Sequence, residues 1–214
     1  MAKVEVPFKG EYREINYEFM DDRPLSPSAA KEFRKSPKHY VHYLTKPRAF
    51  TDAMLMGSLV DILALTPDYF DTKFKVFEKA TGKGSVAINK EAKQKAKEEG
   101  KILVTPEQVE TAQRSVKALK EHPISASLLD NIVKTQIKVN WRDGETGIPC
   151  LGYVDFETYY KKQRVIVDLK TANNGDPDEF SRSVYKFGYD VQAGAYLDGY
   201  HKKFYKFPYF MFLV

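Results

Sequence analysis

The sequence predicts an α/β domain with a mixed central sheet flanked by helices. Three observations carry this expectation. Helix start and stop signals fill most of the first 130 residues, apolar residues switch to a period of two after Asp130, and a further helical stretch separates the last two apolar strands. A length of 214 residues suits a single domain, here residues 1–214, with a helical part at about 25–130 and a sheet-bearing part at about 131–214.

The first 24 residues are strand-rich in character. Leu25-Ser-Pro-Ser28 then opens a helix with Ser26 at the N-cap and Pro27 at the first helical position, and Pro37 limits it. Over 52–65, Met54, Leu55, Leu59, Ile62 and Leu63 recur near the helical period, and Thr66-Pro67 stops the run. Gly57 inside this helix suggests close approach to the sheet. A turn-rich basic loop follows at 80–85, then a charged helix at 89–99 closed by Gly100, then a helix opened by Thr105-Pro106. Ile137, Val139 and Trp141 alternate with polar neighbours, and Asp143-Gly144 makes a turn. Strands are expected at 151–160 and 164–171 across a short polar connection, 161–163. The stretch 173–178 breaks the pattern, a helix covers about 190–203, and 209–214 is an apolar strand. Ending on such a strand is the pattern of a domain that continues past Val214.

Composition narrows the function classes. Hydrophobic residues at 43 % and charged residues at 29 % describe a globular chain and exclude a disordered one. The net charge of +5 is compatible with a polyanionic partner. The single cysteine, Cys150, cannot form a disulfide within the chain or hold a zinc or iron-sulfur site by itself, which fits a reducing compartment. The N-terminus lacks an apolar segment, and no window reaches the roughly 18 apolar residues that span a bilayer, so no membrane association and a cytoplasmic location are expected.

One cluster of residues carries chemistry. A tight turn centred on Lys161-Lys162 sets Asp155 directly across from Asp168, and period two turns Asp168 and Lys170 to one face of their strand. Carboxylates roughly 5 Å apart repel, and a bridging divalent cation relieves them. Oxygen ligands suit Mg2+ or Mn2+ rather than zinc. A lysine one pleat along can hold or deprotonate an attacking water and offset developing negative charge. Taken alone, Asp-x-Lys equally describes an exposed hairpin with a surface ion pair. Its company favours chemistry: an upstream aspartate on the paired strand, an upstream acid in a helix, and Gln192-x-x-x-Tyr196 on one face of a downstream helix.

The run GYVDFETYYKKQRVIVDLKTA, followed by YDVQAGAYLDGY, resembles the PD-(D/E)XK nucleases related to exodeoxyribonuclease VIII, the phage and prophage recombination exonucleases. LSPSAAKEFRKSPKHY and MGSLVDILALTPDYF resemble that family's first two helices, so the likeness spans Leu25 to Val214. The resemblance implies a restriction-endonuclease-like core and Mg2+- or Mn2+-dependent hydrolysis of DNA. It implies metal ligands at Asp155, Asp168 and the Leu169 carbonyl, a catalytic Lys170, and Gln192 and Tyr196 flanking the site. Asp61 stands where relatives often carry a histidine ligand, and a carboxylate suits magnesium at least as well. Double-stranded DNA ends as substrate, a single-strand annealing protein as partner and a homo-oligomeric ring are likewise expectations of the resemblance. An endonuclease on the same core, or a DNA-binding module without catalysis, remains open. An iron-sulfur exonuclease is excluded, because it needs four cysteines.

Three other signals weigh less. Thr81-Gly-Lys-Gly-Ser85 lacks the leading glycine of a phosphate loop, since Phe77 stands near that position, so nucleotide binding is rejected. His39 and His42 are three apart but lack a third ligand. Lys31, Arg34, Lys35, Lys38, Lys46 and Arg48 make the first helix and its loop basic, which fits a DNA-tracking groove and a solvated face equally well.

Overall fold

Capping residues set most helix boundaries in the computed structural model, which describes residues 23–46 and 50–214. Nearly all of the strand-rich lead-in, and Arg48, fall outside the described residues. Ser26 Oγ accepts the Ala29 N–H at 3.2 Å and opens α1 (Pro27–Lys35). Ser36 ends that helix and accepts the His39 N–H, so Pro37, expected only as a limit, also starts α2 (Pro37–Thr45). Thr51 caps α3 (Asp52–Leu65), which stops where Thr66-Pro67 predicts. A 3-10 turn (Pro67–Tyr69) and a short α4 (Phe70–Lys73) lead into β1 (Phe74–Val76). Next come α5 (Ser85–Glu98), which begins before the charged run at 89–99, and β2 (Ile102–Val104), parallel to β1. A full capping box between Thr105 and Gln108 starts α6 (Pro106–Glu121), and α7 (Pro123–Asp130) follows.

The sheet then forms from β3 (Lys134–Arg142), β4 (Pro149–Tyr160) and β5 (Gln163–Leu169). After them come α8 (Pro177–Phe187), α9 (Tyr189–Phe204) and β6 (Tyr209–Leu213). The order is β3-β4-β5-β6, antiparallel until β6 joins β5 in parallel. A parallel partner requires a crossover, and α8 with α9 supplies it. The sheet is therefore mixed and flanked by helices, as expected. Leu25 adds a bridge to β4, its N–H donating to Pro149 O at 2.7 Å.

The β4–β5 connection is shorter than the polar run suggests. Gln163 already pairs with Tyr160, leaving Lys161 and Lys162 as a two-residue turn with φ of 47° and 66°. Two successive left-handed residues match the twist of a hairpin, and the resulting register runs through Tyr159↔Arg164 to Phe156↔Val167. Asp155 and Asp168 follow the last pair of this ladder, and the Leu169 N–H donates to Asp155 Oδ2 at 2.7 Å. Strand β5 ends at Leu169 rather than Thr171, although the Lys170 N–H still donates to Leu213 O at 2.8 Å.

Both faces of the sheet are covered. Phe156, Val165, Val167 and Leu213 pack with Leu65 and Leu128 from α3 and α7 on one side. Ile137, Val139, Val154 and Ile166 pack with Tyr196 and Tyr200 of α9 on the other. Burial of a Val, Ile, Leu or Phe side chain stabilises by about 1.5–3 kcal/mol, so these layers fix the sheet between its helices. A third cluster joins α3 and α6 to the small sheet through Leu59, Phe74, Val104 and Val116. Of the apolar face expected on α3, Leu55, Leu59 and Ile62 are buried, whereas Met54 is exposed.

Along β4 the period of two slips at one place. Val154 packs in the α9 cluster, whereas Phe156, two residues on, lies in the opposite one. The slip falls at Asp155. On β3, Gln136 sits between Thr135, paired with Phe156, and Ile137, paired with Val154, and takes φ of 48°. Register is the same on either side of the irregularity, so both strands twist together there without gaining a residue.

At Gly57 the helix does approach the end of β5, but the approach does not require glycine: a Cβ built there meets Thr171 Oγ1 at an ordinary 3.5 Å. Gly199 does lie tight, since a Cβ there would fall 2.5 Å from the Trp141 ring. Gly57→Ala is therefore expected to raise unfolding stability by up to about 1 kcal/mol. Gly199→Ala should lower it by about 1–3 kcal/mol through overpacking. Urea denaturation of the two variants checks both signs.

Candidate active site

Asp155 and Asp168 come together at the end of the β4–β5 hairpin, between the sheet and α9. Asp168 is 1 % exposed. Leu169 donates its N–H to Asp155 Oδ2 at 2.7 Å, which ties the first carboxylate to the strand that carries the second. Burial, then the charges of Asp168 and Asp61, push the Asp155 carboxyl up to about 8, against the pull of the Leu169 N–H and Lys170. Burial also raises Asp168, and Lys170 opposes the rise most.

Lys170, just beyond β5, is ion-paired to Asp168, and its ammonium lies 4.8 Å from the centroid of the Tyr189 ring. Gln192 closes the site from α9: its Nε2 donates to Asp168 Oδ1 at 2.9 Å and to the Tyr196 hydroxyl at 3.0 Å. Tyr196 is buried against β4, where a Cβ on Gly152 would come within 2.8 Å of its ring. Its phenol is raised well above the usual range, first by burial and then by the Asp168 charge, so it stays protonated. The structure thus brings Asp155, Asp168, Lys170, Gln192 and Tyr196 into one cluster.

Asp61 reaches toward that cluster from α3. Its carboxylate accepts hydrogen bonds from Gln136 Nε2 at 3.0 and 3.4 Å. Burial raises its carboxyl, the nearby Lys73 charge opposes this, and the negative charge of Asp168 adds to the rise. Gln136 is absent from the sequence expectations; only its left-handed backbone marks it, and sequence does not show that. Lys31 was expected merely as one member of a basic face. In the structure its ammonium contacts Gln192 Oε1 at 3.3 Å, and its pKa is lowered by burial and then by the charge of Lys170. The other basic residues of α1 behave as surface groups: Arg34 pairs with Asp190 at 2.7 Å and Lys35 with Glu32 at 2.8 Å. His39 is exposed, and its Nδ1 lies 2.7 Å from Ser36 Oγ.

The donors fit a hard divalent cation. Two desolvated carboxylates face each other with raised pKa values, which is the electrostatic signature of a pair that gains from a shared positive charge. Among the described residues, no three acidic, imidazole or thiol side chains are gathered closely enough to cage an ion. Backbone carbonyls and water would therefore complete the shell, as is usual for magnesium.

A mixed sheet covered by helices, with Asp-x12-Asp-x-Lys on its central hairpin, places the chain in the PD-(D/E)XK class, a fold that points to nuclease chemistry. The family is more specific. Residues 26–214 match the PDDEXK-like domain of unknown function (DUF3799), and the chain belongs to that family. No curated protein matches the chain. No helix among the described residues is long and apolar enough to cross a membrane.

The raised carboxyl of Asp155 has a consequence for stability. In the unfolded chain an aspartate ionises near 3.8, whereas in the folded protein Asp155 holds its proton to about 8. Its contribution to stability is therefore complete below the lower value and is lost as pH rises toward the upper one. Without metal, the wild-type melting temperature should fall relative to that of Asp155→Asn between about pH 5 and pH 8. Added Mg2+ should restore it in the wild type alone. A pH series of thermal melts with and without Mg2+ reads this directly, and parallel curves for the two proteins would refute it.

Proposed function

We propose that the protein is a divalent-metal-dependent deoxyribonuclease that hydrolyses phosphodiesters at double-stranded DNA ends. The observation that carries this reading is the Asp155–Asp168 pair, half-buried at the first and buried at the second, with Lys170 against it at the end of one hairpin. Asp155, Asp168 and the Leu169 carbonyl would hold Mg2+ or Mn2+ with water completing the shell, and Asp61, bonded to Gln136, would act on the ion from the margin through its charge. The bound cation would supply Lewis acidity toward a phosphoryl oxygen.

Lys170 offers ammonium protons to the attacking water and to the phosphoryl oxygens on which negative charge builds. Gln192 orients Asp168 through its Oδ1 and is itself steadied by the Tyr196 hydroxyl. Covalent catalysis is not part of this mechanism: water is the nucleophile, and one of the carboxylates accepts its proton. The sequence resemblance to recombination exonucleases supports action at duplex ends, handing of single strands to an annealing protein, and a homo-oligomeric ring.

Linear and closed circular duplex DNA incubated with Mg2+ or Mn2+ test the reading. Linear DNA should be degraded, circles should persist, and EDTA should stop the reaction. Lys170→Ala and Asp168→Ala should each lower the rate by about 10²-fold or more while circular dichroism shows a folded protein. Cutting of circles would replace the exonuclease with an endonuclease, and undiminished activity in either variant would overturn the assigned chemistry.

A further inference from the structure

Lys31 is an ammonium that feels the charges of Asp168 and Glu32 without touching either. Among the described residues it makes no ion pair, and its only close polar partner is the neutral Oε1 of Gln192 at 3.3 Å. The position is imposed by packing. Gly188, at the start of α9 with φ of 64°, lies so close to the Lys31 stem that a Cβ there would sit 3.0 Å from its Cγ and Cδ. The head is directed to the Tyr189 ring, 5.3 Å from the centroid, and Lys170 approaches the same ring at 4.8 Å. Two ammonium groups, from helix α1 and from the end of β5, thus converge on one aromatic side chain. Only one of them has a carboxylate beside it.

Keeping two cations together in a partly desolvated place opposes folding unless an anion joins them. Burial lowers Lys31 most and the charge of Lys170 adds to this, against the opposing pull of Asp168 and Glu32. Lys35, one turn further along the same helix, avoids this arrangement by pairing with Glu32. Lys31 is held in it by the packing of α1 on α9. Gln192 further joins Lys31 to the carboxylate cluster, because the amide that accepts from Lys31 donates to Asp168 Oδ1.

We propose that Lys31 is a second active-site cation that binds a phosphate group of the DNA strand being cut, next to the one held at Lys170. The assignment rests on the nuclease reading above and adds a substrate contact from the N-terminal helix. It divides labour between the lysines: Lys170 faces the reacting phosphoryl group, and Lys31 holds the backbone beside it in register.

The test is the salt dependence of binding to a labelled linear duplex in EDTA, where hydrolysis is stopped, together with steady-state kinetics in Mg2+. Each lost phosphate contact reduces the slope of log K against log salt by about 0.9 for duplex DNA or about 0.7 for a single strand. Lys31→Ala should show a reduction of that size and a lower kcat/KM, and Lys31→Arg should keep the wild-type slope. A residue that merely braces Gln192 would give a different result, with kcat lost, the slope unchanged and Gln192→Ala matching Lys31→Ala in both measurements. That outcome overturns the assignment while leaving the nuclease intact. A wild-type protein that neither binds nor degrades linear DNA overturns the nuclease reading and this inference with it.

Discussion

Two carboxylates held side by side in a place that excludes water repel each other, and most of the surrounding structure answers that repulsion. Asp155 and Asp168 follow the last pair of the hairpin ladder, Phe156↔Val167, and the Leu169 N–H ties Asp155 to the strand of Asp168. Around them lie the Leu169 N–H on Asp155, the Lys170 ammonium and the Gln192 amide on Asp168, and Asp61 at the margin held by Gln136. Two of these partners are neutral dipoles, which stabilise charge without cancelling it. Without a cation the repulsion is relieved by the proton that the Asp155 carboxyl keeps up to about 8, and a bound divalent cation would take that proton's place.

The second constraint is the paired irregularity at Asp155 and Gln136. A regular pleat would put Val154 and Phe156 on one face; instead they serve opposite cores, and the backbone of Gln136 enters the left-handed region. A non-glycine residue there is disfavoured by about 1–2 kcal/mol. Its return is the side chain's reach across to Asp61, which links the helical part of the chain to the hairpin. Buried Glu157, further along the same strand, offers a contrast. It is paired with Arg164 and accepts the Tyr200 hydroxyl at 2.6 Å, so its charge is compensated from within and it has no call on a ligand.

What the sequence made legible is what short-range rules govern. The caps at Ser26 and Thr105, the span of α3 and the tight turn at Lys161-Lys162 follow from hydrogen-bonding side chains, apolar period and turn length. The two short strands β1 and β2 stayed hidden because three residues cannot display a period. Helix α8 was missed because Asn173-Asn-Gly-Asp176 reads as a break, although Asp176 and Pro177 are its N-cap and first residue. Lys31 and Gln136 were invisible for a different reason. Their significance lies in partners far away in the chain, and nothing local separates Lys31 from the other lysines of a basic helix.

The distances along the chain between these partners bear on how the protein reaches its working form. The contact from Lys31 to Gln192 spans 161 residues and that from Gln136 to Asp61 spans 75, whereas Leu169 reaches Asp155 across 14. Loop-closure entropy favours the short link first. The hairpin with its two aspartates is therefore the local kernel. The contacts from α1 and α3 form only when the whole chain has closed around it, so the proposed activity would wait on the last contacts to form.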